Sequence, residues 1–268
     1  MAWALFELLP PGLMDTSGIQ EYMHRFLLSR LHSDSFDDLA HRLFVVAVDL
    51  DSGEAVAFGR DGWRHIPVSK AVQASIALPG LYRPVRIDGR DYVDGGVKKT
   101  AHINLAIQNG ADLVICVNPI VPFLNDMAGG ALHGHLSNRG VTWVLDQAMR
   151  IMLHGRMEYG LERYHREHPE VDILLIEPTR DDMRMFGYNI MRYSARRVVA
   201  EHGYHSALTF FRKDPVRYRR LFAKHGIRMA DPGRLPRVPP RHPHRSSLAR
   251  ALDSSLERLG ARLGSRRS

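Results

Sequence analysis

The chain is almost devoid of cysteine, with one in 268 residues. Cys116 cannot close an internal disulfide, which excludes a disulfide-stapled scaffold. Its place inside the apolar run Leu113–Val117 marks it as a buried, inert thiol. A reducing, cytoplasmic setting fits that usage. Long apolar runs are missing too. None exceeds six residues, the length of Leu43 to Val48, against the roughly 20 that a bilayer-spanning helix requires. Met1–Glu7 carries no basic leader and meets an acid at position 7, so it does not read as a secretory signal. There are fifteen histidines, yet none falls into the His-Glu-x-x-His spacing of a hydrolytic zinc helix, and no cysteine set completes a structural zinc site. His133-Gly134-His135 and His165-Arg166-Glu167-His168 read as solvated surface groups. No internal repeat is present.

What is there is ordinary globular composition: 44% hydrophobic and 25% charged residues, enough apolar mass for a packed core. The formal charge of +8 is uneven. Residues 231–268 hold nine arginines, no lysine and three acids. The basic balance therefore describes a tail, and it gives no clustered footprint for nucleic acid on the body; no nucleic-acid partner is expected. Five prolines between 231 and 245 favour an extended linker. After Ser246-Ser247, leucines at 248, 252, 256, 259 and 263 share one helical face. Two uses of that helix stand open. It docks on the body or on a partner, or 246–263 lies on an anionic membrane surface as a peripheral contact.

The body reads as α/β. Leu43–Val48 is an apolar strand, turned by Asp51-Ser52-Gly53 into Glu54–Phe58. Val68–Leu78 is helical until Pro79-Gly80. Asp88-Gly89 turns Val85–Ile87 into Asp91–Val93. Ala101–Asn109 is a short helix stopped by Gly110, and Leu113–Val117 is a buried strand. A long helix spans about Asn138–His168, Val171–Ile176 is a later strand, and helices cover much of Asp181–Phe222. Strand–helix alternation with continuous apolar strands predicts a mainly parallel sheet covered by helices. The methionines at helical spacing, Met149, Met152, Met157, Met183, Met185 and Met191, read as core filler, with an acyl-channel lining as the alternative.

Residues 74–97 read Ala-Ser-Ile-Ala-Leu-Pro-Gly-Leu-Tyr-Arg-Pro-Val-Arg-Ile-Asp-Gly-Arg-Asp-Tyr-Val-Asp-Gly-Gly-Val. This stretch resembles the patatin-like phospholipase family: a helix ending in Ala-Ser-x-Ala-x-Pro-Gly, an aromatic-x-Pro-Val step, a hairpin, then Asp-Gly-Gly. Ala106 to Ile115 is similar to the family's next helix and strand. The resemblance implies an α/β, patatin-like fold and lipid acyl-ester hydrolysis by a Ser–Asp dyad, without metal or organic cofactor. Asp94 is then the proton acceptor, and Gly95 and Gly96 shape its loop. A carboxylate is a weak base, so it must remove the proton in concert with attack, with the oxyanion held by backbone N–H donors.

The other half of the machinery is not visible. None of the serines before Asp94 (Ser17, Ser29, Ser33, Ser35, Ser52, Ser69 and Ser75) has glycines at both −2 and +2, as a nucleophile elbow requires. Ser75 holds a family-like position whose role is structural. The chain is thus expected to be N-terminally incomplete, continuing from the nucleophile's helix at Leu9-Pro10-Pro11-Gly12-Leu13, and inactive in isolation. An unpaired apolar edge is expected at Leu43–Val48 or Leu113–Val117. A non-catalytic membrane-surface or partner-binding protein using the basic tail is the alternative. The expected division is 1–125, the C-terminal part of a patatin-like domain; 126–230, a helical extension with one further strand; and 231–268, the tail. Lys98 and Lys99, just after the triplet, face lipid headgroups or water.

Overall fold

The structure, a computed structural model, describes residues 10–126, 134–182, 196–231 and 233–235. The leucine stripe of the tail, His133, Met183, Met185 and Met191 lie outside these residues. The chain divides into two compact units, Met1–His102 and Ile103–Ser268.

The first unit holds β1 (Gly12–Met14), α1 (Ser17–Leu31), β2 (Val45–Asp49), β3 (Ala55–Phe58), α2 (Val68–Ser75), β4 (Gly80–Tyr82), β5 (Val85–Ile87) and β6 (Arg90–Asp94). Strands β3, β2, β6 and β5 form a four-stranded sheet in that order. All its pairings are antiparallel. Both hairpins that build it were legible as turns. Gly53 (φ 68°) closes the first, and Asp88 (φ 47°) with Gly89 (φ 80°) closes the second, the pair of positive φ values that a two-residue hairpin needs. Parallel pairing occurs between β1 and β4. β2 is internal to its sheet, so it is not the exposed edge expected of Leu43–Val48.

Helix α2 packs on β2 and β6. Its inward residues Val68, Ala71 and Ala74 are buried, as are Ala47 and Ala77. These small side chains let the helix approach the sheet closely, and Phe58, Trp63 and Tyr92 fill the space beyond with edge-to-face contacts, their ring centroids 5.5–6.2 Å apart. The core of this unit therefore lies directly under the strand that ends in Asp94.

The second unit holds α3 (Ile103–Gln108), β7 (Leu113–Val117), α4 (Val141–Glu167), β8 (Asp172–Ile176), α5 (Arg196–Lys213) and α6 (Pro215–Lys224). β7 and β8 pair in parallel along all five residues. Leu174, Tyr218 and Phe222 centre a core with Leu113, Ile176, Phe210, Phe211 and Leu221 around them. Cys116 is buried as expected, and burial pushes its thiol upward. The rest of β7 departs from the fully buried strand that its composition suggested: Ile115 is 47% and Val117 68% exposed. The second edge of β7 carries no strand among the described residues.

Candidate active site

Asp94 is the last residue of β6, a strand flanked on both sides, and it sits opposite Ala47 of β2. Its N–H donates to the Ala77 carbonyl at 3.0 Å, tying the strand end to the segment that follows α2. The chain then enters a tight helical turn, Gly95–Val97, and the Asp94 side chain caps it: Oδ1 accepts the Gly96 N–H at 2.7 Å. Capping of this kind satisfies an otherwise orphaned donor and fixes the carboxylate's direction.

Both glycines of the triplet have local physical reasons. A Cβ on Gly95 would stand 2.6 Å from the Val46 carbonyl oxygen, well inside contact distance, so β2 can only run this close beneath a residue with no side chain. A Cβ on Gly96 would lie 3.1 Å from Asp94 Oδ1 and crowd the carboxylate.

The electrostatics are one-sided. Burial raises the Asp94 carboxyl above the ordinary aspartate range, and the Gly96 N–H only partly offsets that. No cation among the described residues contributes. The carboxylate is thus half-buried, oriented through Oδ1, and more basic than a solvated aspartate, which are properties of a general base.

Nearby groups hold the turn in place. His102 approaches the Gly95 carbonyl through Nε2 at 3.3 Å, and burial lowers its proton affinity. The neutral ring therefore donates its Nε2 proton to that carbonyl. Sequence reasoning gave His102 no role; its position eight residues past Asp94 carries no local pattern. Lys98 does not stand free toward solvent or lipid. Its Nζ donates to the Gly53 carbonyl at 2.8 Å and pairs with Glu54 at 2.6 Å, stapling the turn to the β2–β3 hairpin. Ser75 closes α2 and makes no hydrogen bond to Asp94 among the described residues.

A different serine does meet an aspartate. Ser69 Oγ donates to Asp34 Oδ2 at 2.6 Å, the Ser69 N–H donates to Oδ1 at 2.8 Å, and His24 sits 2.7 Å from the same carboxylate. Ser69 is fully buried, so no substrate reaches its hydroxyl. The cluster anchors the first turn of α2, where Asp34 serves as the cap.

Residues 2–107 match the model of the patatin-like phospholipase family. That part of the chain is patatin-like. The match takes in the whole four-stranded sheet, α2 and the Asp94-Gly95-Gly96 turn. Over 73 residues the chain is 38% identical to an uncharacterized NTE family protein of Mycobacterium bovis and to two uncharacterized NTE family proteins of Mycobacterium tuberculosis strains. The aligned stretch is 27% of this chain and 19% of each relative, so the chain spans about a fifth of the length of the relatives it matches.

Among the described residues, no group of three or more His, Cys, Asp or Glu could hold a metal ion. No described helix is long and apolar enough to cross a membrane.

Proposed function

We propose that this patatin-like segment serves lipid acyl-ester hydrolysis and that Asp94 is its general base. The observation that carries this is the Asp94 carboxylate itself. It is fixed at the end of an internal strand by the Gly96 N–H, raised in proton affinity by burial, and set in the segment that matches the family. The second carboxylate oxygen receives no hydrogen bond from the described residues and is the acceptor for a serine proton. Oδ1 stays bound to Gly96, so proton transfer does not loosen the loop. The preorganised cap supplies orientation, and the raised proton affinity supplies driving force.

The chemistry also needs a hydroxyl with an adjacent oxyanion site. Ser69 is buried against Asp34, and Ser75 is not bonded to Asp94. No serine before Asp94 has the elbow pattern. The proposal is therefore that the 268 residues supply the base half of a Ser–Asp dyad and by themselves hydrolyse esters negligibly. A short-chain acyl-ester assay, run together with a serine-directed fluorophosphonate probe, tests this: no turnover and no labelling are expected. Turnover that Asp94→Asn abolishes, with a labelled serine in this chain, would overturn it.

The nine arginines of residues 231–268 favour a second, non-catalytic function in which the tail holds an anionic membrane surface. Binding to anionic vesicles that is lost on deleting 231–268 supports it; binding that survives the deletion removes it.

A further inference from the structure

Helix α4 does not sort its apolar residues onto its packed face. Its packed face buries the polar Arg150 and His154 beside Met157 and Tyr164. Arg150 is buried, donates to Asp146 at 2.7 Å and reaches the Val121 carbonyl. Gln147 bonds both the N–H and the carbonyl of Phe123. His154 is buried between Glu158 and Glu177, 3.5 Å from each. The outward face is apolar. Val141 is 69% exposed, Leu145 63%, Met152 62% and Tyr159 70%. Ala148 and Gly155, exposed on the same face, complete the row. The spacing along this row is 4-3-4-3-4, the heptad repeat of a coiled-coil seam, sustained over 19 residues or about 28 Å of helix. Buried Arg150 and His154 and a continuous exposed apolar stripe are the two deviations from the usual pattern that carry information.

We propose that this stripe is a homodimer seam and that α4 packs antiparallel against α4 of a second copy of the chain. The side-chain sizes select that partner and that direction. In the antiparallel register centred on residue 150, Leu145 faces Gly155 of the other copy, Met152 faces Ala148, and Val141 faces Tyr159. Every large side chain in the middle of the seam meets a small one. A Cβ at Gly155 would have nothing within 4 Å, so the space a leucine needs is open. A parallel pairing would set Gly155 against Gly155 and Ala148 against Ala148, leaving gaps, and would oppose Met152 to Met152. In the antiparallel register the flanking Ile151, 55% exposed, meets its own copy at the two-fold axis. Glu158 faces Val144 and Arg156 faces Thr142, so no like charges are opposed. The seam covers on the order of 600 Å² per protomer, about 1,200 Å² in all, which reaches the range of specific interfaces. Large-into-small complementarity across a two-fold axis is what an isologous contact requires.

Light scattering of the full chain after size exclusion tests the proposal. Twice the chain mass is expected, and Leu145→Glu with Met152→Glu should return one chain mass, raising the dissociation constant by at least ~100-fold while the circular-dichroism spectrum and a cooperative unfolding transition are kept. Cross-linking reads the register without any charge burial. The Leu145→Cys, Gly155→Cys double variant should oxidise to a disulfide-linked dimer, whereas Leu145→Cys alone should not, because the two 145 positions lie about 15 Å apart along the antiparallel seam. Cys116 is buried, so the wild-type chain should stay uncross-linked under the same oxidation. A monomeric wild-type chain overturns the proposal, including the case in which deleting 236–268 then releases a dimer and so shows that the tail covers the stripe. A dimer that persists in the folded charge variant, or a disulfide through position 145 alone, overturns it equally.

Discussion

Replacing Gly95 by alanine sets two effects of known size against each other. Gly95 does not adopt a positive φ, so alanine suits its backbone, and removing a glycine from the unfolded chain favours folding by about 0.4–1 kcal/mol. Against that stands the new methyl, 2.6 Å from the Val46 carbonyl oxygen and 3.0 Å from its carbon. Ordinary contact begins near 3.4 Å, so the overlap is about 0.8 Å, and its partner is the backbone of a strand held on both edges rather than a side chain that can swing away. Overpacking of this kind costs about 1–3 kcal/mol. The clash therefore wins, and Gly95→Ala should destabilise the first unit by about 1–2 kcal/mol net, read as a lower urea midpoint at unchanged slope. Gly18→Ala is the matched control. Gly18 lies in the first turn of α1 with open space around it, so there the entropy gain and helix propensity act alone and stability should rise. The reasoning is refuted if Gly95→Ala unfolds at or above the wild-type midpoint while Gly18→Ala behaves as stated.

Tyr92 is fully buried and its hydroxyl has no hydrogen-bond partner, so Tyr92→Phe should leave stability unchanged or raise it by about 1 kcal/mol, measured by the same urea titration. Asp94→Asn keeps an acceptor for the Gly96 N–H and removes a buried charge. The folded carboxyl binds its proton more tightly than the unfolded one, so its contribution to stability is present below the unfolded value and lost as pH rises through the folded one; the variant should gain over wild type at neutral pH and lose that gain in acid. His225 Nε2 lies 2.7 Å from Asp172 and Nδ1 3.2 Å from Asp112, and the Asp172 bond, then Asp112, raises its proton affinity above the usual histidine range. That stabilisation is complete below the unfolded value of about 6.5 and fades as pH climbs through the folded one, so melting temperature should fall across neutral to mildly alkaline pH, and His225→Gln should flatten the profile.

The turns were the most legible part of the fold, because Gly53, Asp88-Gly89 and Gly110 write their conformations directly into the sequence. The α/β class followed from the apolar strands and long helical patterns. The direction of the larger sheet did not. β2 is continuous in apolar residues because neighbours flank it and α2 covers it, and that burial is the same whether its neighbours run parallel or antiparallel; the two hairpins decide. β7 misled in the opposite sense, since its composition is that of a buried strand while Ile115 and Val117 stand exposed. At the site, Asp94, Gly95 and Gly96 were readable because consecutive residues form a recognisable unit. His102 on the Gly95 carbonyl, Lys98 on the β2–β3 turn and Ser69 on Asp34 were not, because each joins positions that only the fold brings together. The exposed stripe of α4 was hidden as well: apolar residues occur on both its faces, and only the structure shows that Arg150 and His154 point inward while Leu145 and Met152 stand exposed.

The role proposed for Asp94 is tested most directly by supplying an elbow serine. A chimera that fuses a Gly-x-Ser-x-Gly strand–turn–helix segment from a patatin-like hydrolase ahead of this chain should hydrolyse a short-chain acyl ester and label at the elbow serine. Asp94→Asn in that chimera should lower kcat/KM by about 100- to 10,000-fold without unfolding it. A folded, active chimera whose rate is indifferent to Asp94→Asn would contradict the assignment of this carboxylate as the base.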